Sequence, residues 1–113
     1  MLKIGVLVSG SGTNLQALID AEKQGILKSG AISFVVSSRA DAFALERAKK
    51  HDIETAVVSR RSFPDPDEFD KTLLDVLFLR EIDILVLAGF LSILGPLVLK
   101  QYEGRIEIGR AHV

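Results

Sequence analysis

Four short apolar runs, Ile4 to Val8, Ile32 to Val36, Thr55 to Val58 and Ile84 to Ala88, recur along the chain, each rich in branched side chains and bounded by Gly, Ser, Asp or a charged residue. Runs of this length and composition read as strands buried on both faces. Between them the apolar residues fall at helical spacing: Leu15, Leu18 and Ile19, then Leu45 and Ala48, then Phe69, Leu73, Val76 and Leu77. Strands that alternate strictly with helices cannot close as hairpins. The pattern predicts an α/β fold of order βαβαβαβα, a Rossmann-like parallel sheet with right-handed crossovers and helices on both faces.

Helix-end signals agree with the pattern. Thr13 and Gln16 have capping-box spacing, and Asp65, Pro66 and Glu68 supply an N-cap, an N1 proline and an N3 acid. Gly25 suits the end of the first helix, and Gly95-Pro96 suggests a turn into a fourth short helix that stops near Gly104. No repeat, low-complexity tract or linker interrupts the chain.

At 113 residues there is room for one domain or part of one, and 48% hydrophobic against 26% charged residues is enough apolar material for a core. The net charge is -1 with both signs interspersed, which argues against a nucleic-acid partner. The absence of cysteine and the wide separation of His51 and His112 argue against a metal site in this chain. The apolar run ending at Val8 is too brief for a signal peptide or a membrane span, so the expectation is a soluble cytoplasmic protein without a membrane partner.

The stretch Ser9-Gly10-Ser11-Gly12-Thr13-Asn14 takes the chain from a strand into a helix within a few residues. Glycines there let the backbone approach a ligand closely. The helix amino end adds free amides and partial positive charge, and Ser11, Thr13 and Asn14 offer side-chain hydrogen bonds to phosphate or sugar oxygens. The structural alternative is a tight turn with Thr13 serving only as a cap. Two known phosphate loops fail the test. A Walker A loop needs Gly-Lys-Ser/Thr, and no lysine follows Gly12 until Lys23. A dinucleotide fingerprint needs glycine where Leu15 stands and an acid after the second strand, where Ser37-Ser38-Arg39 stands, although Arg39 could meet a 2′-phosphate.

The string Ser9 to Ala17 resembles the start of the phosphoribosylglycinamide formyltransferases, the folate-dependent transformylases of purine synthesis. Ser37 to Ala42 with Leu45-Glu46-Arg47-Ala48, and Val86 to Leu91 with Ile93-Leu94, resemble further segments of that family in the same order. Together they cover residues 1 to 106. The resemblance implies transfer of a formyl group from 10-formyltetrahydrofolate, as co-substrate, to the amine of glycinamide ribonucleotide, without a metal. It implies that Gly12, Thr13 and Asn14 hold the ribonucleotide phosphate and that Leu91, Ser92, Ile93 and Leu94 line the folate pocket. Without the family, Gly89-Phe90-Leu91 is a strand exit with apolar residues beneath a loop. The family often has arginine at Ser92, and a basic residue able to contact the cofactor is replaced at about Pro66.

The family places its catalytic groups on an Asn-Ile-His-Pro segment after an Arg-Ile strand. Here Arg105-Ile106 is followed by Glu107-Ile108-Gly109-Arg110-Ala111-His112-Val113, with Ile108 at the asparagine position and Arg110 at the histidine position. His112 lies two residues too far on. The heptapeptide can be encoded by GAG ATC GGA AGA GCA CAC GTC, which resembles a sequencing-library adapter. Residues 1–106 are therefore read as the amino-terminal part of a truncated formyltransferase fold and 107–113 as a non-native read-through tail, a fragment without catalytic residues, of low stability and prone to aggregate. Three other features carry bland readings. Arg60-Arg61 reads as solvated surface, with a polyglutamate tail or a phosphate as the functional alternative; His51 reads as facing the last helix carbonyls or water; Asp83 reads as a strand start. The alternative functions are a methionyl-tRNA formyltransferase, a formyltetrahydrofolate deformylase, or a non-catalytic nucleotide-binding module.

Overall fold

A computed structural model of the chain describes residues 2–25, 30–90 and 94–108. The elements are β1 (Lys3–Val8), α1 (Thr13–Lys23), β2 (Ala31–Ser37), α2 (Phe43–Lys50), β3 (Glu54–Val57), α3 (Pro66–Leu79), β4 (Ile84–Leu87), α4 (Pro96–Gln101) and β5 (Ile106–Ile108). The strands form one sheet of order β3-β2-β1-β4-β5, with every adjacent pair parallel. The α/β alternation read from the sequence is thus realised, with a fifth strand added after α4.

Period-two alternation sorts the sheet's side chains into two cores. Ile4, Val6, Val8, Ile84 and Val86 pack with Leu15 and Ile19 of α1 and Ala44 and Ala48 of α2. Leu7, Phe34, Val36 and Leu85 pack with Phe69, Leu73 and Leu77 of α3 and Val98 and Tyr102 at α4. Both faces of the sheet are therefore covered, as parallel sheets require. The third apolar run is an exception to doubly buried strands. β3 lies at the sheet edge, Glu54 and Val57 are exposed, and only Val58 beyond it is buried, because an edge strand has one neighbour and partial helix cover.

The structure also corrects the first helix start. Gly12, not Thr13, is the N-cap of α1; it has φ 86° and there is no side-chain cap bond. Thr13 is the first helical residue, so the Thr13–Gln16 capping box does not form, and Gln16 Nε2 donates to Asp20 instead, at 3.0 Å. The other caps stand: Asp65 accepts from the Asp67 amide at 3.0 Å with Pro66 in the first turn, and Gly25 and Gly104 take left-handed conformations past α1 and α4. Glu107 and Ile108 pair with Val86 and Leu87 of β4. Ladder pairing uses backbone groups alone, so the two take strand positions while their side chains remain exposed. No helix among the described residues is long and apolar enough to cross a membrane.

Two polar side chains fasten α4. Asp70 of α3 is buried, and its carboxylate accepts from the amides of Leu97 and Val98 at 2.8 and 3.1 Å, satisfying two of the orphan donors of the helix start. A Cβ on Gly95 would overlap that carboxylate, so the residue before Pro96 has no room for a side chain. At the other end, the Tyr102 hydroxyl donates to the Ile82 carbonyl at 2.9 Å.

Asp70→Ala leaves two helix amides without their acceptor and is expected to lower stability by roughly 2 kcal/mol; Gly95→Ala should destabilise by displacing the same carboxylate. Urea melts should show a lower midpoint at unchanged slope. A second expectation concerns pH. Burial, with a smaller push from Asp83 and against the opposing charge of Arg105, raises the Tyr102 phenol above its ordinary 10.0. The stabilisation is full below the unfolded value and is lost as pH rises through the folded one. Tyr102 is the chain's single tyrosine, so an ultraviolet absorbance titration reads it alone and should give a midpoint above 10.0 that falls on unfolding.

Candidate functional site

The chain order runs from β1 outward to β2 and β3, then returns to the other side of β1 for β4, so the sheet's topological switch point lies between β1 and β4. Ligands in open α/β sheets sit beyond the carboxyl ends of the strands at this crevice. Two turns meet there: residues 9–14, which leave β1, and residues 88–90, which leave β4.

Gly12 is glycine for two separate reasons. Its φ of 86° is left-handed, and a Cβ would stand 2.6 Å from Ala44 Cα and 2.8 Å from Ala44 Cβ. The start of α2 is pressed against the turn and receives its carbonyls. The Ala44 amide donates to Gly10 O at 3.1 Å, and Arg47 Nε donates to Ser11 O at 2.9 Å. Arg47 is itself braced, with Nη1 3.4 Å from Gln16 Oε1 and its guanidinium 5.1 Å from the centre of the Phe43 ring. Ser9 Oγ and Ser38 Oγ, both buried, are hydrogen-bonded at 2.7 Å and join the exits of β1 and β2.

With the carbonyls directed to α2, the amides at the start of α1 are left over. Those of Gly12, Thr13 and Asn14 have no backbone acceptor among the described residues, and the first turn of α1 carries no acidic residue. The Thr13 side chain is exposed and Asn14 is half-buried. Asn14 Nδ2 lies 3.7 Å from the position a Cβ would take on Gly89, itself left-handed at φ 75°, so the amide faces the exit of β4 across the crevice. Unpaired amides, a hydroxyl, a carboxamide and the positive end of an eleven-residue helix occur together at this turn, a combination that favours an anion.

Of the folate-facing segment expected from the sequence, Leu91, Ser92 and Ile93 lie outside the described residues, as does His112. Leu94 is half-buried and packs on the α3–α4 core with Phe90. Arg60 departs from its reading as solvated surface: it donates to the Phe63 carbonyl and lies 5.2 Å from the centre of the Phe69 ring, whereas Arg61 is exposed. The His51 amide caps α2 at Ala48 O, but its ring turns to Gln16 on α1, with Nε2 3.5 Å from the carboxamide nitrogen. Asp83 stands just before β4 and accepts from the Lys3 amide at 2.8 Å, so it ties the starts of β4 and β1 together. Arg39 forks onto Asp41 at 3.1 Å for both contacts. No group of three or more potential metal ligands occurs among the described residues.

The sequence reading missed Arg47 and Asp70. Each carried a signal: a charged residue beside the apolar stripe of its helix, Arg47 next to Ala48 and Asp70 next to Phe69, which marks a side chain that reaches a specific partner rather than water.

Comparison with known proteins gives this geometry its context. The chain is 41% identical over 105 residues to phosphoribosylglycinamide formyltransferase of Escherichia coli strain K12, an alignment covering 93% of this chain and 49% of that protein. It is also 41% identical over 105 residues to the trifunctional purine biosynthetic protein adenosine-3 of Chironomus tentans, covering 92% of this chain and 8% of that one. Among solved structures, phosphoribosylglycinamide formyltransferase of Coxiella burnetii in complex with CHES superposes with a TM-score of 0.85 at 41% identity, over 93% of this chain and 49% of the other. Glycinamide ribonucleotide transformylase 1 of Symbiobacterium toebii gives 0.87 at 37%, over 94% and 50%. A formyltetrahydrofolate deformylase of Pseudomonas putida, at 21% identity and a TM-score of 0.81, shares the fold. The chain thus spans about half the length of the bacterial relatives it matches. A model of the formyl transferase family matches residues 2–108, the whole of the sheet and the glycine turn at its switch point, and on that match the chain belongs to the formyl transferase family.

Proposed function

We propose that this chain is the nucleotide-binding part of a phosphoribosylglycinamide formyltransferase, with Gly12, Thr13 and Asn14 holding the phosphate of glycinamide ribonucleotide. The observation that carries the reading is the set of unpaired amides at the start of α1, opened by a left-handed Gly12, with the Asn14 carboxamide beside them facing the β4 exit. A phosphate bound there accepts from the amides and the Thr13 hydroxyl, while Asn14 is free to reach a phosphate or sugar oxygen. The ribonucleotide's amine then extends along the crevice toward the end of β4.

Folate is the co-substrate by the same reading, supplying the formyl group from 10-formyltetrahydrofolate, with Leu91, Ser92, Ile93 and Leu94 as its pocket. The described part of this segment suits an apolar ring: Gly89 turns the chain without a side chain, and Phe90 and Leu94 are half-buried, leaving apolar surface at the strand exit. No metal enters the proposed chemistry. The amine must lose a proton, and the tetrahedral intermediate needs oxyanion donors. β5 runs parallel to β4 and leaves the sheet at the same edge as the glycine turn, so a catalytic segment after Ile106 would face the amine. These 113 residues have Ile108 and Arg110 where the family has asparagine and histidine. Residues 1–106 accordingly act as the amino-terminal part of a formyltransferase domain and 107–113 as a tail, and the chain binds the ribonucleotide without turning it over.

Glycinamide ribonucleotide is expected to bind the chain saturably in calorimetry. Thr13→Val should weaken it about tenfold, the loss of one hydrogen bond to a charged group, and Gly12→Ala should abolish it. Unchanged affinity in both variants would refute the phosphate assignment. In a formyl-transfer assay the 113-residue chain should give no product above the uncatalysed rate; measurable turnover would refute the account of the missing catalytic groups.

A further inference from the structure

One strand over from the glycine turn, at the same carboxyl edge of the sheet, the exits of β2 and β3 enclose a cleft of about 480 Å³ lined by residues 38–41 and 59–61. Its walls are fixed by backbone bonds between the two exits: the Val58 amide donates to Ser37 O at 2.9 Å and the Arg60 amide to Ser38 O at 3.1 Å. Three arginines, Arg39, Arg60 and Arg61, line it together with one carboxylate, that of Asp41, a formal surplus of two positive charges.

Structure accounts for two of the three cations. Arg39 is held in a two-point fork by Asp41, and Arg60 is anchored on the Phe63 carbonyl and the Phe69 ring. Arg61 makes no hydrogen bond or salt bridge among the described residues, and neither does the Ser59 hydroxyl. The charge of Arg61 is nevertheless felt across the cleft. The Asp41 carboxyl lies below its ordinary 3.8 chiefly through the hydrogen bond and charge of Arg39, and Arg61 adds to the effect. Asp41 offsets one of the three charges, and the two that remain at the cleft favour an incoming anion. A surplus of two charges matches the charge of a phosphate monoester at neutral pH, and Arg forks suit phosphate oxygens. A cleft of this volume admits a small headgroup, and the interspersed charge of the chain offers no track along which a polyanion could continue.

We propose that this cleft is a second anion site, separate from the glycine turn, that takes inorganic phosphate or the phosphate group of a small monoester, with Arg61 closing on an oxyanion that Arg39 and Arg60 already flank. The test is a nitrogen-15 NMR titration of the 113-residue chain with inorganic phosphate and, in a second arm, ribose 5-phosphate, against chloride at matched ionic strength. Saturable shifts at Arg39, Ala40 and Arg61 are expected in at least one arm, with a midpoint different from that of any response at residues 10–14. The arm that saturates at lower concentration identifies the source, free or organic. Arg61→Gln should weaken the cleft response about tenfold or more, Arg61→Lys should restore part of it, and both should leave residues 10–14 as in the parent chain. Shifts that rise linearly, that chloride reproduces, that persist undiminished in Arg61→Gln, or that move only in step with residues 10–14 would overturn the proposal.

Discussion

β1 is the strand on which everything else is hung. It pairs on one side with β2 through Lys3 to Val8 and on the other with β4 through Ile4 to Leu7, so both edges of its backbone are engaged. Its side chains supply each core in turn: Val6 and Val8 under α1 and α2, Leu7 under α3 and α4. A strand so enclosed must leave the sheet sharply, because on every side its path is occupied by packed neighbours. Gly12 makes that exit, and its left-handed backbone turns the amides of α1 back over the end of the strand.

The turn is held from outside rather than by its own cap. A Thr cap would occupy one of the helix amides with its own hydroxyl. In its place α2 takes the turn's carbonyls through the Ala44 amide and the Arg47 guanidinium, which fixes the loop while leaving its donors unused. On the opposite face a neighbouring helix also holds a helix start, but through its donors: the carboxylate of Asp70 on α3 serves the amides of α4. There the donors are satisfied within the fold; at α1 they are open to an acceptor from outside it. What separates the two helix starts is the presence of an acceptor supplied by the neighbouring helix.

Most of the architecture was legible because it rests on periodicity. Apolar runs and helical stripes give the alternation of elements, and alternation with short connections leaves a parallel sheet as the arrangement that buries both faces. The proline and glycine signals at Asp65-Pro66, Gly25, Gly95-Pro96 and Gly104 were read correctly because each acts on the backbone of its own position. Thr13 misled for the converse reason: its spacing to Gln16 satisfies a local rule, but the chain entering the helix had no freedom to adopt an extended N-cap once Gly12 was packed on Ala44. Arg60 misled in the same way, its charge suggesting water while the ring of Phe69 and the carbonyl of Phe63 lay within reach.

The sequence by itself determined the fold class, the order of elements, the glycine turn and its resemblance to the formyl transferase family, since each is carried by residues close together in the chain. The tertiary structure decided which strand lies at the edge, that Arg47 and Asp70 are fastening groups, that Asn14 faces Gly89 across the switch point, and that three arginines from two strand exits share one cleft. These depend on contacts between residues tens of positions apart. The physical reason is that local propensity acts through a residue's own backbone and its near neighbours, whereas the partner of a buried or convergent polar group is fixed only when the sheet brings distant strand ends to the same edge.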